Sequence, residues 1–332
     1  MGEKTIVQQS TSGYIVKDSI RSRNKNSKIL KFISTIANVS MRCASVVSPV
    51  LNTRLRYWFN YGHRIHLNPP VTFIEKCNWY KLNIVIKHAI FRDCSDKLLV
   101  RDFVIKRGYG HYLNDLLCTF DDVDHIDFDI LPKQFAMKLN DGAGYYIICN
   151  DKDNLNRTEV IKKMKKWWKE HKYLSYSELQ NKASKRMIIV EKFINDFEDN
   201  GQPTDYKFYC FDGEPKAILT VWERNMDDAK KIFMSTDWKF LSYAYKGGKA
   251  EADLGEYPAR PKDLDKMIEC ARALSKGFPF VRVDLYQGKE NPIFGELTFT
   301  CAGAMFTAET DPAVLDMAAL FKVPTEFTVP EN

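Results

Sequence analysis

From Phe135 to Phe299 the apolar residues of this 332-residue chain come in short runs, each closed by a turn rich in Gly, Asp or Asn. Runs this short, joined by turns this tight, favour antiparallel hairpins over helices. The spacing predicts strands at Phe135–Leu139 and Tyr145–Cys149 around the loop Asn140-Asp-Gly-Ala-Gly144, and a strand at Arg186–Glu191. It also predicts Tyr206–Phe211 and Lys216–Trp222 around Asp212-Gly213-Glu214, then Phe280–Tyr286 and Pro292–Phe299 around Gln287–Asn291. Helical spacing appears over 27–60, stopped by Asn68-Pro69-Pro70, and over 72–82, opened by a capping box from Thr72 to Glu75. Further helices are expected from a Ser95 cap to Gly108, over the Lys-rich stretch 157–171, and over Pro261–Ser275 and Pro312–Phe321. A mainly helical first third followed by hairpins makes the class α+β, without alternating βαβ units.

Charge divides the chain in the same way. The net +6 combines residues 1–70, with 11 Lys/Arg against 2 Asp/Glu, and residues 71–332, with 38 against 41. The first segment is thus +9 and the rest −3. A basic, Ser/Asn-rich arm suits an anionic partner, a lipid headgroup surface or nucleic acid, and a solvated helical face is the plainer alternative. Ile29–Leu51, the longest apolar stretch, is broken by Lys31 and Arg42 and is too polar for a membrane span. Met1-Gly2-Glu3-Lys4 leads into no apolar core before Ile29, so no secretory signal is expected. Eight cysteines without CxxC spacing read as reduced thiols, which points to the cytoplasm. All six histidines lie at or before His171, with no HExxH, so chemistry in the second half must rest on carboxylates, Lys and Arg.

One segment concentrates such groups. If Phe280–Thr298 pairs about a turn near residue 290, Asp284 faces Glu296 and Arg282 faces Thr298. Alternation then puts all four side chains on one face. Opposed carboxylates beside a hydroxyl suit a hard cation such as Mg²⁺, and the Arg suits the phosphate that it carries. A surface hairpin with a cross-strand ion pair is the simpler alternative for that segment alone. Upstream, Lys138 ends a strand just before a loop carrying Gly142 and Gly144, where an ammonium and open backbone N–H groups could hold phosphates. Met187–Ile194 then supplies an apolar strand with Glu191, followed by Asp205-Tyr-Lys207.

This order resembles the ATP-grasp superfamily, and more closely the TupA-like ATP-grasp proteins of bacterial surface-polysaccharide clusters. The matching stretches are Asn68–Lys76, Ser95–Val104, Leu131–Lys138, Asp205–Gly213, Phe280–Tyr286 and Phe294–Thr300. The resemblance spans about residues 68–310 and omits those before about 60. It implies an ATP-grasp fold, two antiparallel-sheet lobes sandwiching ATP, preceded by a mainly helical N-terminal region. The corresponding division is a basic helical arm (1–66), a region before the ATP-grasp core (67–130), a lid subdomain (131–190) and a C-terminal subdomain (191–328).

Carried over by position, Lys138, Asp141, Gly142 and Gly144 would hold the ATP phosphates. Val190, Glu191, Lys192 and Phe193 would meet adenine and ribose, with Asp205 also on the nucleotide. Asp284 and Glu296 would ligate Mg²⁺; Thr298 stands where the superfamily has Asn, a departure that weakens the third ligand. Arg282 and Lys207 would lie near the γ-phosphate and acyl group, with Arg224 a further candidate.

The implied function is an ATP- and Mg-dependent carboxylate–amine ligase, joining an amino acid or small amine to a sugar acid, or an acid to an aminosugar, through an acyl phosphate. The basic residues 1–60 would then hold it peripherally at an anionic inner membrane surface, with no nucleic acid partner expected. Two other readings fit the same residues. One is a sugar or glycan kinase that stops at phosphoryl transfer. The other is a non-catalytic protein that binds glycan or nucleic acid through the basic arm and the helix bearing Trp167 and Trp168.

Overall fold

The computed structural model describes residues 28–142, 144–194, 204–222, 230–241, 258–305 and 314–330. Two helices open it, α1 (Lys28–Val47) and α2 (Pro49–Tyr61). The single helical stretch expected over 27–60 is broken at Ser48-Pro49, because Pro cannot donate to the preceding turn and Ser48 caps α2 by accepting from the Leu51 N–H. Residues 1–27 of the expected basic arm lie outside the described residues. Next, α3 (Phe73–Asn83) begins with the anticipated capping box, Thr72 accepting from the Glu75 N–H and Glu75 accepting from that of Thr72.

The third expected helix is two. Ser95 ends α4 (Ala89–Ser95) and does not cap α5 (Val100–Lys106); Asp96 does the local capping, accepting from the N–H groups of Leu98 and Leu99. A carboxylate reaches two donors from there, which the Ser95 hydroxyl, already inside a helix, does not.

Two antiparallel sheets follow. The smaller has the order β1-β4-β2-β3, from β1 (Leu116–Phe120), β2 (Phe135–Leu139), β3 (Tyr146–Cys149) and β4 (Ile188–Lys192). Helix α6 (Arg157–Trp168) joins β3 to β4, three residues shorter than the expected 157–171. Phe135, Met137, Leu139, Ile188 and Val190 alternate onto one face and form a core with Val160 and Met164 of α6. This sheet draws β1 from before residue 131 and runs on to Lys192.

The larger sheet has the order β7-β6-β5-β8-β9, from β5 (Asp205–Phe211), β6 (Glu214–Trp222), β7 (Lys230–Met234), β8 (Phe280–Gln287) and β9 (Pro292–Thr298). The amphipathic α7 (Leu264–Ser275) buries Met267, Cys270, Ala271 and Leu274 against it. Toward its other end, Phe73 of α3 meets Phe211, Phe280 and Phe321 edge-on with centroids 5.5–6.2 Å apart, the last just beyond α8 (Val314–Leu320). Helices thus pack over much of the sheet, and one row across β5, β8 and β9 is left to polar side chains. Each of the eight cysteines is unpaired, and no described helix is long and apolar enough to cross a membrane.

Candidate active site

The row left open on the larger sheet is polar. Lys207 on β5 pairs with Asp284 on β8, and Asp284 with Glu296 on β9; Arg282 pairs with Thr298 one step along. The register that places a turn near residue 290 therefore holds over this half of the hairpin. It slips by one at Gly295, after which Leu285 faces Phe294. The bulge fits a glycine, since a Cβ there would lie 3.0 Å from the Asp284 carbonyl oxygen.

Strand alternation makes these side chains converge. Arg282 donates from Nε to Asp284 Oδ1 (2.6 Å) and from NH2 to Asp284 Oδ2 (2.7 Å), Glu296 Oε1 (2.9 Å) and Thr298 Oγ1 (3.0 Å). Lys207 Nζ donates to Asp284 Oδ2 at 2.6 Å and lies 3.2 Å from Asp205 Oδ2. Thr298 donates to Glu296 Oε1 at 2.9 Å. Asp284 and Asp205 are each 2% exposed, while the Glu296 side chain is 45% exposed. Burial alone would raise the Asp284 carboxyl, but Arg282 and Lys207 hold it below the usual carboxylate range. The same carboxylates hold the Arg282 guanidinium well above its ordinary value despite burial.

The smaller sheet carries a second cluster. Ala136 pairs with Glu191 and Lys138 with Ile189, so these four share the face opposite the β2/β4 core. Lys138 Nζ donates to Glu191 Oε2 at 2.6 Å, and Arg101 lies 3.9 Å from Glu191 Oε1. Tyr146 and Ile148, opposite Lys138 and Ala136 on β3, remain half-exposed beside them. This face therefore offers an ammonium and a carboxylate next to an apolar floor on which a flat ring can lie.

The loop between β2 and β3 is firmly tied. Asn140 is 2% exposed; its amide nitrogen donates to Asp96 Oδ2 (2.6 Å) and to the Lys185 carbonyl (3.0 Å), and its Oδ1 accepts from the Met187 N–H (2.9 Å). Gly142 and Gly144 both have positive φ, +71° and +74°, which a side chain would strain. Asp141 is buried with Arg186 donating to its Oδ2 from Nε (3.0 Å) and NH2 (2.6 Å), so the carboxylate anchors the loop rather than facing the open row. Lys97 Nζ donates to the Gly142 carbonyl at 2.7 Å. Burial lowers the Lys97 ammonium, with Glu296 raising it and Lys138 lowering it further.

The remaining candidates are placed less centrally. Val190 sits mid-strand with its side chain in the smaller core, Lys192 is exposed beside Asp115, and Phe193 lies half-buried just past β4. Arg224 lies outside the described residues. The sequence reading passed over Lys97, Arg101, Arg186 and Asn140. A signal existed for the first: Asp96-Lys97 lies within the Ser95–Val104 stretch, but was read as the start of a helix.

Among the described residues no group of three or more His, Cys, Asp or Glu is placed to hold a metal ion. Asp284 has both oxygens engaged by cations, whereas Glu296 Oε1 alone carries the contacts to Arg282 and Thr298. The donor set fits Mg²⁺ that arrives with phosphates, because that ion typically takes one or two protein carboxylates and fills its other positions with phosphate oxygens and water.

The sequence model of the family described as TupA-like ATPgrasp matches residues 75–317. No curated protein sequence matches the chain. Among solved structures, the chain is similar to D-alanine–D-alanine ligase from Bacillus anthracis complexed with ATP, at 17% identity and a TM-score of 0.40, covering 69% of this chain and 63% of that one. D-alanine–D-alanine ligase from Helicobacter pylori gives 12% identity and a TM-score of 0.36, over 69% of this chain and 61% of that one. D-cycloserine synthetase DcsG gives 14% identity and a TM-score of 0.40, over 75% and 76%. The chain thus spans less than two thirds of the length of either D-alanine–D-alanine ligase.

Proposed function

Because the chain belongs to the TupA-like ATP-grasp family, we propose that it is an ATP- and Mg-dependent carboxylate–amine ligase. The observation that carries this reading is the Lys207–Asp284–Glu296 row with Arg282 folded over it, together with Lys138 on Glu191 and Lys97 on the Gly142 carbonyl. Such an arrangement neutralises transferring phosphoryl groups and contains no side chain placed as a nucleophile.

In the proposed reaction a substrate carboxylate oxygen attacks the γ-phosphorus of ATP and ADP leaves. The amine nitrogen of the second substrate then attacks the acyl carbon of the resulting acyl phosphate; phosphate leaves, the nitrogen loses a proton and an amide remains. Lys138 and Lys97 would bind phosphate oxygens beside the Gly142–Gly144 loop, and the apolar floor of Ala136, Tyr146 and Ile148 would take the adenine, with Glu191 on the ribose. Lys207 and Arg282 would hold the γ-phosphoryl oxygens and the acyl oxygen, Arg224 being a further candidate for the acyl group. Glu296 and Asp284 would hold Mg²⁺, with Thr298 acting through Glu296; when bound, the ion supplies charge neutralisation across the phosphates. Asp205 keeps Lys207 in position.

The resemblance to surface-polysaccharide proteins supports a sugar acid or aminosugar as one substrate and an amino acid or small amine as the other. The unpaired thiols and the basic first segment support work in the cytoplasm beside an anionic membrane surface. Hydroxylamine tests the acyl phosphate: supplied with ATP, Mg²⁺ and a panel of uronic acids, the enzyme is expected to give a hydroxamate. A stable phosphorylated sugar with no hydroxamate would instead identify a kinase.

A further inference from the structure

Over most of the described surface, large apolar side chains stand exposed singly, as Val71, Leu99 and Ile130 do. On the first two helices they gather: Val39, Val46 and Val47 of α1, and Val50, Leu51, Leu55 and Trp58 of α2. Exposure reaches 80% at Val47, 72% at Val46 and 59% at Trp58. Isolated exposed apolar residues are ordinary, but a gathered set marks a surface that meets something.

The set forms one patch because α1 and α2 make an antiparallel helical hairpin. Asn52 donates to the Met41 carbonyl (2.6 Å) and Arg56 to Asn38 Oδ1 (2.7 Å), so partners run in opposite directions from the break at Ser48. Leu55 then falls beside Val39 and Leu51 beside Cys43, with Val46, Val47 and Val50 at the tip. The opposite side of the hairpin is fixed to the body: Arg56 Nε donates to the Ser175 carbonyl (2.8 Å), Ser45 and Ser177 hydroxyls are 2.8 Å apart, and Asn52, Thr53, Arg56 and Tyr57 are buried. The apolar patch is therefore held facing outward.

Charge decides its occupant. Residues 19–74 contain nine Lys/Arg and no Asp or Glu, and among the described ones only Arg56 is buried against the body while Arg42 reaches the His171 carbonyl. A second copy of the chain would bring the same positive field against itself, whereas a bilayer rich in anionic headgroups offers both an apolar interior and the opposite charge. We propose that the exposed apolar side of the α1–α2 hairpin, from its tip to Trp58, lies in the headgroup–acyl boundary of an anionic lipid bilayer, burying Val46, Val47, Val50, Leu51, Leu55 and Trp58. This goes beyond attraction by the basic arm, since the apolar residues supply the hold, and it does not depend on the ligase reading.

The test uses the full chain and flotation on vesicles of phosphatidylcholine with about one third phosphatidylglycerol, a content at which basic, amphipathic segments respond strongly. The wild type is expected to float with these vesicles and not with phosphatidylcholine alone. The charge-neutral variant Leu51→Ser/Leu55→Ser/Trp58→Ser should lose roughly tenfold or more in partitioning while keeping its thermal melt. Cys43, the exposed thiol of this hairpin, gives a second readout without touching an apolar residue. A polarity-sensitive dye placed there in a Cys118→Ser background should shift to the blue on adding anionic vesicles. A wild type that stays in solution, a triple variant that floats as well as the wild type, an unchanged dye, or a dimer dispersed by the triple substitution would each overturn the proposal.

Discussion

Lys81 shows how strongly burial can act on a single side chain. The side chain is fully buried, and its ammonium donates to the Tyr176 carbonyl at 2.8 Å. Burial pushes it down to about 8 from an ordinary 10.5, against the field of Glu178, whose own carboxyl burial raises. Below about pH 8 the folded and unfolded chains both carry this proton, and the cost of burying the charge is present in full. Between about 8 and 10.5 the unfolded chain binds more protons, so this group makes stability rise with pH; above 10.5 the gain is complete. Urea unfolding at pH 7.5 and 9.5 should therefore show a relative gain at the higher pH, up to roughly 3 kcal/mol over the whole window, that Lys81→Met lacks. Equal pH dependence in both proteins would contradict the burial argument. None of this was legible from sequence: Lys81 is one lysine among many on a helix, and only the packing of the Tyr176 and Gly303 carbonyls around it turns it inward. Arg186 and Asn140 escaped for the same reason, since their partners lie about 45 residues away.

At the level of elements, local signals were read where the decisive contacts are local. The Thr72–Glu75 capping box, the Asp212-Gly213 hairpin and the pairing of Asp284 with Glu296 all depend on residues close in sequence, and the structure has all three. Strands β1 and β7 carry no such signal: Leu116–Phe120 and Lys230–Met234 are five-residue edge strands, and their partners β4 and β6 do not follow across a tight turn. The capping box also does more than cap. Glu75 is 3% exposed and its carboxylate accepts from the N–H groups of His66 (3.0 Å), Val71 (3.1 Å) and Thr72 (3.0 Å), tying the chain before α3 to the helix. Thr72→Ala should cost about 1 kcal/mol, the usual value of a cap. Glu75→Ala, which strands three donors in a partly buried place, should cost about 2–3 kcal/mol. Chemical denaturation midpoints of the two variants check the order, and a larger loss at Thr72 would contradict it.

Across the whole molecule, the clusters come from separate parts of the fold. Lys138 and the glycine loop belong to the smaller sheet, Lys207, Arg282, Asp284 and Glu296 to the larger, and Lys97 to neither. The order of these residues along the chain gave the resemblance to ATP-grasp proteins; Lys97 did not emerge from order because it comes from the helical region that precedes both sheets. The proposed activity couples ATP cleavage to joining an acid and an amine. Its most direct test is phosphate release measured across uronic acids crossed with amino acids, with products weighed by mass spectrometry. Phosphate release is expected only when ATP, Mg²⁺, one acid and one amine are all present, with a product lighter than the sum of its parts by one water and a loss of roughly a hundredfold or more in Glu296→Gln. Phosphate transferred onto a single acceptor, or condensation undiminished in Glu296→Gln, would contradict it.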